Sequence, residues 1–136
     1  MIKEINKDII FLKIKSVDAT IADLDIVKDL EDTLLFNKKI CVGLAANMIG
    51  VSKNIISFFD KENIVTMINP IITLKDKEYQ TEEGCLSLDG VRKCIRYNVI
   101  TVTYFDKNFN KKIKTYRGFT AEIIQHEIDH LNGIII

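Results

Sequence analysis

Both histidines of the chain stand in one pentapeptide, His126-Glu127-Ile128-Asp129-His130. On a helix, positions i and i+4 lie one above the other on the same face, so His126 and His130 can aim at a single ion. Glu127 is turned about 100° from His126, beside such an ion but poorly placed to be its ligand. Two imidazoles with an adjacent carboxylate are what a metal-dependent hydrolase needs: the metal polarises a carbonyl and acidifies water, and the Glu shuttles protons. A tetrahedral catalytic site also requires a third protein ligand and one open position. Only Leu131 to Ile136 follow His130, with no His, Glu, Asp or Cys among them, so the third ligand is expected upstream. That absence counts against an ordinary zincin-type endopeptidase. The best candidate is Cys85, within Glu82-Glu83-Gly84-Cys85-Leu86-Ser87. A thiolate binds borderline divalent metals strongly, and Gly84 lets the backbone turn closely around it. Taken singly, each feature also has a bland reading: two surface histidines on a helix, and a cysteine buried in the core.

The elements that must position these groups follow from periodicity. Leu24, Val27, Leu30 and Leu34 recur at helical spacing, which predicts an amphipathic helix over about 23–37 with Asp23 as N-cap. Residues 1–20 read as irregular. The middle, Ile40 to Tyr116, reads as β structure. Ile55–Phe59 and Ile64–Ile68 flank a short hairpin connection, Asp60-Lys61-Glu62-Asn63. Val99–Phe105 alternates, and Asn108-Phe109-Asn110 turns it back into Lys112–Tyr116. Pro70 is expected at a strand end or edge. A last helix is predicted over about 120–131, closed by Asn132-Gly133 as a left-handed cap. Its polar residues Glu122, Gln125 and Asp129 form a narrow stripe, so the helix should be largely buried. Buried imidazoles must satisfy their ring nitrogens, which favours a metal.

Composition limits the alternatives. A chain of 136 residues reads as one domain with a real core. Lys+Arg and Asp+Glu both number 19, so no net field gathers nucleic acid or anionic lipid, and neither is expected as a partner. Lys107, Lys111, Lys112 and Lys114 cluster at one turn, most simply as a solvated hairpin face. Residues 1–15 mix charged and apolar residues without the apolar stretch of an export signal, and no run approaches a membrane span. Cys41, Cys85 and Cys94 are too few, and odd in number, for a disulfide framework. A cytoplasmic location is expected.

Three segments resemble, in order and in spacing, the signature motifs of the peptide deformylase family. They are Val42-Gly43-Leu44-Ala45-Ala46, Glu83-Gly84-Cys85-Leu86-Ser87 and Gln125-His126-Glu127-Ile128-Asp129-His130-Leu131. Weaker echoes include Ile68-Asn69-Pro70, Arg92 and Arg96, so the resemblance covers about residues 20–136. It implies an α+β fold, with antiparallel sheets around a central buried helix that carries both histidines and an N-terminal helix packed outside. It implies that Cys85, His126 and His130 hold one divalent metal, Fe²⁺ in the cell with Zn²⁺ or Ni²⁺ as substitutes. Glu127 would take a proton from water and pass it to the leaving amine, freeing formate from an N-formyl-methionyl peptide of a nascent protein. Val42, Gly43 and Leu44, and the stretch around Glu83-Gly84-Cys85, would pair with that peptide as an added strand, Gly43 admitting the close approach of a second chain. Glu83, Arg92 and Arg96 would orient a ligand and brace the cysteine loop. A surface ion pair is the competing reading of the Glu83 and Arg96 pair.

The chain departs from the family pattern Gly-x-Gly-Leu-Ala-Ala-x-Gln in its first motif. Cys41 stands at the first Gly and Met48 at the Gln. The resemblance makes that Gln one half of an oxyanion site whose other half is a backbone N–H, here that of Leu86. Met donates no hydrogen bond, and losing one such donor costs on the order of 10²–10³ in rate. Asn47 is expected on an extended segment, pointing away. A deformylase of reduced activity, an enzyme acting on a different acyl group, or an impaired protein that binds metal, peptide or both is compatible with this replacement. Cys41 reads as a small side chain tolerated at the cleft. The family's ribosome-docking tail is not expected after the metal helix, which limits any ribosome encounter to transient proximity, and Ile134-Ile135-Ile136 should finish as a short strand or packed coil.

Overall fold

Five successive strands, rich in β-branched and aromatic residues, each pair with the next in the chain to form one antiparallel sheet. They are β1 (Gly43–Ala45), β2 (Ile55–Asp60), β3 (Asn63–Cys85), β4 (Leu88–Phe105) and β5 (Lys111–Arg117). The computed structural model describes residues 1–135, without the side chain of Leu88; the ending proposed for Ile136 lies outside the described residues. Three helices accompany the sheet: α1 (Ile9–Leu12), α2 (Leu24–Phe36) and α3 (Gly118–Leu131). The fold is therefore α+β, and the antiparallel strands form one continuous ladder. Ile134 and Ile135 lie in coil.

Turn chemistry sets the register. Lys61, at φ 59°, closes the tight β2–β3 hairpin, where Asp60 pairs with Asn63. Between β4 and β5, the Asp106 carboxylate accepts from the N–H groups of Asn108 and Asn110, each at 2.9 Å, around Phe109 in the left-handed region. β3 does not end at Pro70, but its last pair with β2 is Ile55 with Ile68, so from there the strand has one open edge, as expected for the proline. The ladder slips between Ile68 and Ile71, leaving Asn69 at φ 52° and Pro70 in a bulge that spares the missing N–H. The Asn69 side chain holds Ala19 through both its N–H, at 2.8 Å, and its carbonyl, at 3.0 Å.

The core is made where α2 and α3 meet the sheet. Val27, Leu30 and Leu34 from α2 and Ile123, Ile124 and Leu131 from α3 pack on Leu44, Ile56, Phe58, Met67 and Ile100. Asp23 does not cap α2. Its carboxylate accepts from Thr20 N–H at 2.8 Å, completing a capping box around the short 3₁₀ turn Ile21–Asp23 that precedes the helix. No helix among the described residues is long and apolar enough to cross a membrane.

The first twenty residues are more ordered than their sequence implies. Asp8 caps α1, accepting from Ile10 N–H at 3.0 Å, and Val17 forms an isolated parallel bridge with Lys53. Ser16 N–H then reaches the Leu131 carbonyl at 2.8 Å, tying this leading segment to the last turn of α3. Gly133 follows as the predicted left-handed cap, at φ 76°, with its Cα pressed against the Lys13 backbone. A side chain there would suffer both the left-handed penalty and a clash with the Lys13 carbonyl. Gly133→Ala is expected to lower stability by about 2 kcal/mol or more, read as a fall in the denaturation midpoint; an unchanged midpoint would contradict the role given to this contact.

Candidate active site

The β3–β4 hairpin and α3 bring together donors far apart in sequence. Cys85 ends β3, and the Leu86-Ser87 turn folds back so that Ser87 N–H donates to the Cys85 Sγ at 3.3 Å. On α3, the apolar positions face the sheet and fix the rotation of the helix, which turns His126 and His130 inward. Their Nε2 atoms lie 3.0 Å apart. The Cys85 sulfur and one nitrogen of each ring all fall within 4.8 Å of one another.

A divalent cation fits this set. One thiolate and two imidazoles are the donors that Zn²⁺, Fe²⁺ and Ni²⁺ prefer, and three protein ligands leave a position open. The opposed Nε2 atoms cannot both carry protons at 3.0 Å, whereas two lone pairs there are suited to a shared ion. His126 is fixed from behind, its Nδ1–H donating to the Glu83 carboxylate at 2.6 Å. Burial resists charge on this ring, but hydrogen bonds to Cys85 and Glu83 hold its pKa up at about 10. Burial and the neighbouring His126 charge push His130 down to about 3. With no cation bound, one proton beyond those of two neutral rings sits on His126, and a bound cation would displace it.

A chain of buried charge supports the ligands. Arg96 Nη2 and Nε reach the two Glu83 oxygens at 2.7 and 3.0 Å, and Arg96 Nη1 reaches Asp129 at 2.7 Å. Although burial opposes its charge, the hydrogen bonds from His126 and Arg96 hold Glu83 well below the usual carboxylate range. Glu83 and Arg96 are both buried, so the surface ion pair is not what forms here. Arg92 does not join the chain: its Nη2 donates to the Asp89 carbonyl at 3.3 Å within the hairpin.

A cavity of about 410 Å³ opens on the donors. Val42, Gly43 and Met48 line it from one side, and Glu83, Gly84, Cys85 and Leu86 from the other. His126 and Glu127 form its floor, with Glu127 only 4 % exposed and its Oε1 without a hydrogen-bond partner. Burial pushes the Glu127 carboxyl up to about 7, against the opposing pull of the His126 charge. Leu44 is not in the lining, because its side chain is fully buried in the core. The bareness of Gly43 serves α3 first: a Cβ would stand 2.8 Å from Ile123 Cγ2 and 3.0 Å from Glu127 Oε2. Cys41 is half-buried at the cavity edge, its thiol donating to the Gly43 carbonyl at 2.9 Å and pushed up to about 12 by burial.

Several contributors were not evident from the sequence. Asn47 lies in a 3₁₀ turn, Ala46–Ile49, rather than on an extended segment, and its amide donates to the His130 carbonyl at 2.7 Å. Gln125 bridges α3 to β4, accepting from Tyr97 N–H at 2.8 Å and donating to the Tyr97 carbonyl at 2.7 Å. Both Gln125 and Asp129 belong to the polar stripe of α3, and a polar stripe on a buried helix was the available signal that they face partners.

The comparisons with known proteins agree with this arrangement. A family model described as polypeptide deformylase matches residues 1–136. The chain is 60% identical over 136 residues to a peptide deformylase of Clostridium beijerinckii, covering 100% of each. Among solved structures, it is similar to the class I type b peptide deformylase of Acinetobacter baumannii bound to Met-Ala-Ser, with TM-score 0.89, 27% identity and coverage of 99% and 97% of the two chains. The peptide deformylase of Thermotoga maritima gives TM-score 0.89 at 28% identity, covering 99% and 95%.

Titration of the metal-free protein with Co²⁺ is expected to give one site with a thiolate charge-transfer band, absent in Cys85→Ala. Glu83→Gln should retain the band but weaken metal affinity about 10–100-fold. Full affinity in that variant would mean that Glu83 does not hold His126 in place.

Proposed function

The chain belongs to the polypeptide deformylase family, and from that membership we propose how its own residues remove the N-formyl group from formyl-methionyl peptides. The observation that carries the assignment is the convergence of Cys85, His126 and His130 beside the unpartnered, buried Glu127 oxygen in one cavity. We assign the ion held by the three donors as Fe²⁺, with Zn²⁺ or Ni²⁺ as substitutes; when bound it supplies Lewis acidity for the formyl carbonyl and lowers the pKa of water.

The remaining work falls to the chain. Glu127 accepts a proton from the attacking water at its free Oε1 and returns it to the amine as the C–N bond breaks. Burial of the carboxylate raises its affinity for that proton above the usual carboxylate range. β1 is an edge strand of the sheet, so the backbone of Val42, Gly43 and Leu44 on its open side is available to pair with an extended peptide. Glu83 and Gly84, across the cavity, form the second rail. Leu86 N–H is the oxyanion donor of this reading. Residues 1–136 act as one catalytic domain, meeting nascent chains in the cytoplasm in transient proximity to the ribosome, with neither nucleic acid nor membrane as a partner.

Met48 favours a second reading, an impaired protein that retains metal or peptide binding. It is 1 % exposed and lines the cavity, and its thioether offers no hydrogen to a developing oxyanion. Iron-loaded protein kept without oxygen is expected to release formate from formyl-Met-Ala, and Glu127→Ala to reduce that rate at least about a hundredfold. Turnover no faster than the Glu127→Ala control would reject the assignment. Met48→Gln should raise kcat by about 10²-fold if a missing donor is what limits the enzyme; no gain would remove the case for impairment.

A further inference from the structure

We propose that the Cys41 thiol is a displaceable cap on the Gly43 carbonyl, and that it sets how tightly the β1 side of the cleft holds an extended peptide. The inference rests on the deformylase reading and adds a residue that determines substrate affinity at that same site. Cys41 and Gly43 both line the cavity, and the thiol donates to the Gly43 carbonyl at 2.9 Å. Just before β1, the Val42 carbonyl accepts from Phe59 N–H at 2.9 Å, which makes Val42 and Phe59 a hydrogen-bonded pair across from β2. Such pairs alternate with pairs that exchange no bonds, so Gly43, opposite Phe58, turns its N–H and carbonyl away from β2. They face the open edge, where an added strand finds its partners.

This acceptor lies at the reacting end of the cleft. A Cβ on Gly43 would stand 3.0 Å from Glu127 Oε2, and the buried Glu127 lines the same cavity with its other oxygen unpartnered. A peptide N–H that pairs with the Gly43 carbonyl therefore binds beside the carboxylate that the deformylase reading makes the proton carrier. In the free protein the thiol holds that position. Burial keeps Cys41 protonated, with its pKa pushed up to about 12, so the donor is present throughout the neutral range. A thiol is a weak donor and a backbone N–H a strong one, so the exchange favours the peptide but takes something from its binding. Glycine at position 41, the pattern from which the chain departs, carries no such donor. The replacement thus reaches the substrate through the carbonyl two residues on.

The test measures kcat and KM of the metal-loaded enzyme on formyl-Met-Ala-Ala. Cys41→Ala and Cys41→Gly should lower KM about two- to tenfold with kcat little changed, and Cys41→Ser, whose hydroxyl is the stronger donor, should raise it. A side chain that only fills space would move KM in the same direction for Ala and Ser. The direct readout is the S–H stretch in infrared difference spectra of the zinc-loaded protein. Product peptide Met-Ala-Ala should shift one S–H band toward the position of a free thiol, and that band should be missing in Cys41→Ala. A band unmoved by bound peptide, or a KM unchanged or raised in Cys41→Ala, would overturn the proposal. Should no form deformylate the peptide, the parent reading fails. The band shift and the order of Met-Ala-Ala dissociation constants, with Ala and Gly below Cys and Cys below Ser, then decide the role of the thiol by themselves.

Discussion

The buried pairing of Arg96 with Glu83 is the interaction on which the rest of the site depends. It joins a strand of the β3–β4 hairpin to the helix that carries both imidazoles, through Asp129 on one side and His126 on the other. Taking a guanidinium and a carboxylate out of water is costly, and the cost is recovered only where the geometry is good and the remaining donors and acceptors are satisfied. Here Arg96 has two oxygens of Glu83, one of Asp129 and the Ile95 carbonyl as partners. Removing one member would strand the others in a dry setting, the situation in which truncating a buried pair costs about 3–5 kcal/mol. The position of His126 is thus set by Glu83, itself held from behind by Arg96.

Sheet and helix divide the labour. The sheet provides a hairpin whose turn presents a thiolate and a short edge strand that flanks the cavity. The helix provides two imidazoles and a carboxylate on faces fixed by its own apolar packing. Gly43 is where the two meet most closely, since the strand can approach Glu127 and Ile123 only without a Cβ. The width of the cleft and the placement of the Glu127 carboxylate are therefore linked through a single backbone position.

Much of this was legible from local chemistry. The i,i+4 histidines, the need for an upstream third ligand and the glycine before Cys85 brought the donor set into view, and 3.6- and 2-residue periodicities located α2, α3 and the strands. What escaped depends on contacts between distant segments. Asp23 looks like a helix cap but serves the turn before it, because Thr20 offers an N–H three residues back. Pro70 looks like a strand terminator, yet Ala19 gives Asn69 a partner that stabilises a bulge instead. Arg92 and Arg96, four apart on β4, share one face of the strand, and only their position along it decides that the second meets Glu83 and Asp129. The bareness of Gly43 suggests an approaching partner chain, but nothing in the local sequence shows that the helix also needs it.

The attachment of the leading segment to the end of α3 has its own consequence. His130 sits in the final turn, where a helix would ordinarily fray for want of carbonyl partners. Ser16 occupies the Leu131 carbonyl, Asn47 that of His130, and the Lys13 backbone packs on Gly133. The steadiness of one imidazole is thus borrowed from residues at the opposite end of the polypeptide, and a loosening of that distant clasp would reach the metal donors as lost alignment before any strand of the sheet had parted.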